Sequence, residues 1–288
     1  SGQSTALLAA DPDKAIGEEP GLVLLDTETG ALERRHFPCP MPDFRAYLGL
    51  SCYSPTEDLA YAARRRLRVV ELRASAGTLP RAELLGALER WRAAGGRLLS
   101  LHAPDIALRG GVCSDEAEWR RFAELARDTR AGRITLHVPR AGVRDMAERL
   151  DCVADFAARM LAELPADCAV GVENLHMTAA DTPERRRFGY LPGEVRAYVE
   201  ALRQRLPGRA IGFHLDIGHA RNNRPFSEAY TLGEWYADVG AEVCGYHVHQ
   251  VSRSFENHLP LVEPYGALIS LASLFACWRD GTLAHAPL

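Results

Sequence analysis

The sequence predicts an α/β fold in which parallel strands, each followed by a helix, close into a (β/α)8 barrel. Short apolar segments alternate with segments of helical character from residue 47 onward, which is typical of parallel βαβ units. Five of the apolar segments end in a side chain of a type that binds metal ions. These endings are His102, His137, Glu173, Asp216 and His247. Because the carboxyl ends of barrel strands meet on one face, where barrel active sites are built, we expect these side chains to converge.

The composition indicates a soluble globular protein. The 288 residues suit one large α/β domain, and 47% are hydrophobic and 25% charged. The chain lacks a long uninterrupted apolar stretch and a basic leader, so we expect a cytoplasmic protein without membrane contact. The seven cysteines include no Cys-x-x-Cys pair, which excludes zinc ribbons and thioredoxin chemistry. The net charge of −4 disfavours DNA as a partner, although a local positive groove stays open.

The first 43 residues are predicted to form an extension, and residues 44–288 to form the barrel domain. Residues 21–26 and 31–37 have the pattern of two short strands around a glycine-containing turn, which predicts a hairpin. The proline-rich segment 38–42 is expected to act as a stiff linker into the barrel.

The first half of the barrel is predicted from apolar strands and helix boundary residues. Pro80 stands at the start of the second helix, a favourable position for proline, and Gly95 and Gly96 end that helix. Ser114 is suited to cap the third helix. The predicted strands are residues 47–51, 68–73 and 97–102, and the predicted helices are residues 56–66, 80–94 and 115–128.

The second half repeats the alternation four times. Its predicted strands are residues 134–137, 169–173, 211–216 and 243–247, and its predicted helices are residues 143–164, 194–206, 231–239 and 266–278. An eighth strand is expected near residue 281, where little chain remains, so the barrel is either incomplete or closed by another segment. The alternative of a doubly wound open sheet calls for a glycine-rich phosphate turn after the first strand, which residues 51–54 lack.

Histidine and carboxylate side chains are natural ligands of zinc, manganese and iron. A single histidine on an apolar strand is more often a core residue than a ligand, but the repeated endings favour a metal centre. Asp216 and His219 lie just past the end of one strand, with Gly218 allowing a tight turn, although Asp216 also suits a helix cap. His247 and His249 share one strand face, and His214 shares the face of Asp216 as a candidate supporting residue.

Six short motifs together resemble the xylose-isomerase-like TIM barrels. They are Leu-His-Ala-Pro (101–104), Leu-His-Val-Pro (136–139), Val-Glu-Asn (172–174), His-Leu-Asp-Ile-Gly-His (214–219), His-Val-His (247–249) and Glu-Asn-His-Leu-Pro-Leu (256–261). This superfamily includes the family 2 AP endonucleases, of which endonuclease IV is one, and many sugar isomerases and epimerases. The resemblance runs from about residue 47 to residue 275.

The resemblance to endonuclease IV implies a centre of one to three divalent ions, with zinc expected first and manganese or iron as alternatives. The implied ligands are His102, His137, Glu173, Asp216, His219, His247, Glu256 and His258. Glu256 stands where that family has an aspartate, and the family's metal-bridging glutamate on the eighth strand has no counterpart here. We assign Glu173 as the catalytic residue, and Asn174, His249 and Arg253 as substrate contacts.

Three functions stay open on the sequence. Phosphodiester hydrolysis is favoured because a metal cluster that contacts both the attacking and the leaving oxygen needs more ligands than the single metal of an isomerase. A ketose isomerase or epimerase, acting on a free or phosphorylated sugar, would match Glu173, Asp216 and His247 alone. A non-catalytic binding barrel is favoured only by the missing eighth-strand glutamate. The acidic net charge favours a small phosphoester or sugar substrate over DNA. The segment that begins at Asp105 favours it too, because this segment lacks the DNA-entering wedge that the resemblance to endonuclease IV would place there.

Overall fold

The computed structural model describes residues 48–73, 79–109, 111–113, 116–221, 231–249 and 267–286, together with three strands nearer the N-terminus. Those strands, β1 (Thr5–Leu7), β2 (Gly21–Leu25) and β3 (Leu32–His36), form an antiparallel sheet in the order β1-β2-β3. Strands β2 and β3 lie in the segments where the sequence predicts a hairpin, whereas β1 is not predicted. The division into an extension and a barrel domain stays a prediction.

Seven parallel strands form the main sheet. They are β4 (Gly49–Cys52), β5 (Val69–Leu72), β6 (Arg97–His102), β9 (Arg133–His137), β10 (Ala169–Glu173), β11 (Ile211–Asp216) and β12 (Val243–His247). Their order in the sheet is β12-β11-β10-β9-β6-β5-β4. Two very short strands, β7 (Leu108–Arg109) and β8 (Val112–Cys113), make a separate antiparallel pair after β6 that the sequence pattern did not predict.

The main sheet is curled into an incomplete barrel. In a flat sheet β12 and β5 would lie five strand spacings apart, or about 24 Å. Instead His247 Nε2 on β12 lies 2.8 Å from Glu71 Oε1 on β5, and Arg133 on β9 donates to the main-chain oxygen of Cys244 on β12. These cross-sheet contacts confirm the predicted barrel and exclude the doubly wound alternative.

Helices cover the outside of the curled sheet. They are α1 (Pro55–Arg64), α2 (Arg81–Ala93), α3 (Glu116–Thr129), α4 (Val143–Ala162), α5 (Pro192–Arg205), α6 (Ile217–Arg221), α7 (Leu232–Val239) and α8 (Ala267–Asp280). All except α6 match the predicted helices closely. Ser114, the predicted cap of α3, lies outside the described residues. The buried rings of Trp119, Tyr198 and Trp235 fill the layer between helices and sheet, where large apolar side chains contribute most to stability.

The inner face of the barrel is polar, which is unusual for a buried surface. Alternate residues along each strand point to one face, so Ser100 shares the inner face of its strand with His102, and Thr135 shares that of its strand with His137. On β11 the same spacing relates His214 to Asp216. The structure buries Ser100, Thr135 and His214 beneath the strand ends. A polar interior therefore continues downward from the face where the predicted ligands lie.

The seam between β12 and β4 is open in the part of the chain that the structure describes. There β12 pairs with β11 alone and β4 with β5 alone. Residues 281–286, near which the sequence predicts an eighth strand, form a turn and an irregular segment. Ala284 N donates to Gly240 O over 2.8 Å, and Tyr246 Oη donates to Ala284 O over 2.8 Å. This segment therefore packs beside β12 without extending the sheet. No described helix is long and apolar enough to cross a membrane.

Candidate metal centre

Glu173 stands at the middle of the site, on the last residue of β10, with 1% of its surface exposed. Its Oε2 atom lies 3.2 Å from His102 Nε2 and 3.5 Å from His137 Nε2. Its Oε1 atom lies 3.0 Å from His247 Nδ1 and 3.6 Å from His219 Nδ1. Four imidazoles from four different parts of the barrel rim therefore surround one buried carboxylate.

Asp216 forms the second half of the site and is fully buried. Its Oδ1 atom accepts the main-chain N–H of His219 over 2.7 Å, which caps the short helix α6. Its Oδ2 atom lies 3.5 Å from His219 Nδ1 and 3.1 Å from His249 Nε2. His249 Nε2 also lies 3.0 Å from Oδ1, so both oxygens of Asp216 face this ring. Asp216 therefore caps α6, as the sequence suggested, and its role as a metal ligand stays a prediction.

Gly218 is required for the approach of His249, and this corrects the sequence-based explanation. A Cβ atom at position 218 would lie only 2.2 Å from Cε1 of the His249 ring. The φ angle of Gly218 is not in the left-handed region that favours glycine. The residue is therefore small because the imidazole packs on the first turn of α6, whereas a tight turn at this position does not need glycine.

Asn174, which the sequence predicts as a substrate contact, uses its buried amide on the main chain of Asp216. The amide nitrogen donates to Asp216 O over 3.0 Å, and the amide oxygen accepts Asp216 N–H over 2.8 Å. These bonds hold the end of β11 against the end of β10. A substrate contact by Asn174 stays a prediction, and the described contacts favour a structural role.

A second set of partners orients the histidines, and the sequence reasoning missed it. Asp105 Oδ1 lies 2.6 Å from His137 Nδ1, and Arg140 lies 2.8 Å from the other oxygen of Asp105. Glu71, from the opposite wall, lies 2.8 Å from His247 Nε2. Carboxylates that hold the far nitrogen of a ligating histidine are common around protein metal sites. A charged residue inside the apolar strand segment Val-Val-Glu-Leu was the available clue to Glu71.

The donor groups fall into four sets whose ligand atoms lie within 4.8 Å of one another. The sets are Glu71–His214–His247, His102–His137–Glu173, Asp216–His219–His249 and Glu173–Asp216–His247. Six of the eight predicted ligands thus come together. The other two, Glu256 and His258, and the predicted substrate contact Arg253 lie outside the described residues.

The donors fit a divalent cation. Among the described residues, His102 Nε2 and Glu173 Oε2 are buried without a hydrogen-bond partner. A buried polar atom without such a partner is costly, and a cation between these two atoms would satisfy both. Imidazole nitrogen and carboxylate oxygen are also the donor types that zinc, manganese and iron prefer.

Burial and charge together set the protonation of the site. Burial raises the pKa of Glu173, but His247 and His137 lower that pKa well below its usual range. Burial lowers the pKa of His137, but Glu173 and the hydrogen bond to Asp105 raise it to about 9. Burial lowers the pKa of His219 to about 3. Burial lowers the pKa of His247, but Glu173 and Glu71 raise that pKa well above its usual range. In the metal-free protein the acids are therefore ionised, and His137 and His247 each carry a proton that a cation must displace.

We expect the apparent affinity for zinc to rise with pH at least up to about 9, where His137 loses its proton without help from metal. Each displaced proton, one from His137 and one from His247, contributes a change of about tenfold in affinity per pH unit below the pKa of its histidine. Calorimetric titrations near pH 6 and near pH 8, in buffers of different ionisation enthalpy, would count the protons released. A zinc affinity that is equal at both pH values would contradict histidine ligation.

No family model and no curated protein sequence matches this chain. Solved structures do match: a candidate xylose isomerase from Rhodospirillum rubrum ATCC 11170 aligns with a TM-score of 0.65 at 13% identity, over 84% of this chain and 89% of that one. The chain has the fold of the xylose-isomerase-like TIM barrels. The resemblance seen in the sequence motifs is thus confirmed for the fold.

Two further barrels of this fold show its functional range. Endonuclease IV from Thermus thermophilus has a TM-score of 0.55 at 18% identity, over 82% of this chain and 90% of that one. A xylose-isomerase-like TIM barrel from Mycobacterium smegmatis, in complex with magnesium, has a TM-score of 0.52 at 14% identity, over 81% of this chain and 79% of that one. At such identities the likeness establishes the fold, and the reaction must be argued from the site.

Proposed function

We propose that this xylose-isomerase-like barrel is a metal-dependent enzyme that hydrolyses a small phosphodiester. One observation carries the proposal: the donors at the strand ends form two sets that share no residue, in addition to the set Glu71–His214–His247. His102, His137 and Glu173 make one set, and Asp216, His219 and His249 make the other. Two such sets side by side can hold two cations. A single-metal isomerase needs only one set.

A further set, formed by Glu173, Asp216 and His247, shares Glu173 with the first of these two sets and Asp216 with the second, which supports a shared ligand role for Glu173. Divalent cations held in these sets would polarise a phosphoryl group and stabilise its departing oxygen. The protein's own residues contribute by orienting the donor side chains. Asp105 fixes the ring of His137 through Nδ1, which leaves Nε2 directed at Glu173.

Arg140 supplies a cationic group beside the site. Its guanidinium lies 2.8 Å from Asp105, and nearly half of its side-chain surface is exposed. A planar guanidinium suits the oxygens of a phosphate group. We infer that Arg140 contacts the phosphate of the substrate, while Asp105 keeps the guanidinium group of Arg140 near His137. The net charge of −4 favours a small substrate over DNA.

The alternative is a ketose isomerase or epimerase that binds one cation. The set Glu173–Asp216–His247 favours it, because these three donors alone can hold an ion. If the protein is such an isomerase or epimerase, the remaining histidines would orient the sugar. The hydrolase and isomerase hypotheses differ in the number of ions bound and in the substrate consumed.

The deciding experiment measures metal content and activity on the same purified protein. We expect about two zinc, manganese or iron ions per chain, and cleavage of a chromogenic phosphodiester that stops on chelation and returns with metal. An abasic-site duplex and a panel of ketoses complete the substrate set. Conversion of ketoses alone, with one ion per chain, would contradict the hydrolase. A protein that binds no metal after reconstitution would instead support a binding barrel.

A further inference from the structure

We propose that Glu71 is a positioning residue for the metal centre: it holds the Nε2 proton of His247, so that Nδ1 is the nitrogen presented to a cation. The inference rests on the proposed metal centre and adds a residue to it from β5, on the far side of the open barrel. Neither the sequence motifs nor the implied ligand set includes Glu71.

Glu71 is held in one orientation by two hydroxyl groups. Its side chain points into the barrel below the site and is 6% exposed. The hydroxyls of Ser100 and Thr135 both donate to its Oε2 atom, each over 2.6 Å. Short bonds of this kind from hydroxyl to carboxylate are among the stronger hydrogen bonds in proteins. With Oε2 occupied, Oε1 is the oxygen that faces His247.

His247 has carboxylates at both of its nitrogens. Nε2 lies 2.8 Å from Glu71 Oε1, while Nδ1 lies 3.0 Å from Glu173 Oε1 and 3.7 Å from Asp216 Oδ2. An ionised carboxylate only accepts hydrogen bonds, so Nε2 must carry a hydrogen to bond Glu71. When a cation occupies the set with Glu173 and Asp216, the lone pair on Nδ1 therefore faces it.

Packing and hydrogen bonding also constrain the orientation of the His247 ring. His214 packs edge-on against it, with ring centroids 4.2 Å apart, and Thr135 lies within 3.5 Å of His214 Nδ1. A flip of the ring would put Cδ2 in the place of Nδ1 and Cε1 in the place of Nε2, so the contacts of His247 with both Glu173 and Glu71 would be lost. The carboxylate of Glu71, which two hydroxyl groups fix below the ring, and a cation above the ring would therefore select one orientation of His247.

A buried carboxylate with no role would be expensive, because taking an ion out of water costs several kcal/mol unless its partners compensate. Glu71 has three partners, and each lies on a different strand: Ser100 on β6, Thr135 on β9 and His247 on β12. This arrangement is built to direct one oxygen at one ring nitrogen. Such outer partners typically change metal affinity by 10- to 100-fold.

The test compares zinc binding by the full-length wild type, Glu71→Gln and a control, Glu242→Gln, by competition with a chromogenic chelator. Glu242 is a half-buried carboxylate bonded to Arg196 and Arg203 next to the opposite end of β12. We expect zinc affinity to fall about 10- to 100-fold in Glu71→Gln and to stay unchanged in Glu242→Gln. The ¹⁵N spectrum of zinc-loaded wild type should show His247 protonated at Nε2, and Glu71→Gln should lose that signature.

A second pair of variants keeps the proposal testable if Glu71→Gln does not fold. Thr135→Val removes one hydroxyl from Glu71 Oε2 without changing the charge, and Thr135→Ser restores it. We expect weaker zinc binding in Thr135→Val and recovery in Thr135→Ser. Wild-type zinc affinity in both Glu71→Gln and Thr135→Val, or zinc on His247 Nε2 in the wild type, would overturn the role of Glu71 and leave the metal centre standing. A wild type that binds no zinc would overturn both.

Discussion

Replacing Glu173 by glutamine is expected to abolish turnover, by roughly 10³-fold or more, while the barrel stays folded. The substitution keeps the shape of the side chain and removes the charge that four imidazoles face. Its amide N–H₂ would point at ring nitrogens whose lone pairs are needed for metal. Metal content per chain, circular dichroism and phosphodiester cleavage on the same preparation would measure the effect.

The matched control for that variant is Glu242→Gln, which removes a carboxylate from the helix layer next to the opposite end of β12. It should retain the metal content and the rate of the wild type. A Glu173→Gln protein that keeps both would show that Glu173 is a core residue and that the catalytic assignment is wrong. Loss of ketose conversion in place of phosphodiester cleavage would assign the same residue to the isomerase chemistry.

Replacing Asn174 by alanine is expected to destabilise the metal-free protein by about 2–5 kcal/mol. The change removes both hydrogen bonds to the main chain of Asp216 and leaves a buried N–H and a buried carbonyl without that partner. Urea denaturation followed by tryptophan fluorescence would measure the free energy of unfolding. If Asn174 serves only as a substrate contact, the same variant would raise KM and leave the unfolding midpoint unchanged.

Much of this fold follows from local patterns in the sequence. The strand ends at His102, His137 and Glu173 are marked by apolar residues before them, and strand parity predicts that they share a face. The helices between them follow from periodicity and from residues such as Pro80 that favour helix starts. Asp216 and His219 were predictable as neighbours because only two residues separate them.

The remaining features depend on contacts that sequence spacing does not encode. Glu71 lies 176 positions before His247, and nothing local indicates that a curled sheet brings the two together. Asp105 is in a loop, where neither period nor parity predicts the direction of a side chain. Helix α6 is too short for periodicity to detect, although Asp216 was recognisable in the sequence as a candidate helix cap.

The pair Glu71 and His247 links the shape of the barrel to the occupancy of its site. In the described part of the chain, main-chain pairing leaves β12 and β4 as free edges, and buried side chains draw the two ends of the sheet toward one another. A cation that binds only the curled form would stabilise it by about 2.7 kcal/mol at a hundred times its dissociation constant. By the same thermodynamic linkage, chelation would favour uncurling, and amide hydrogen exchange in β12 should accelerate first.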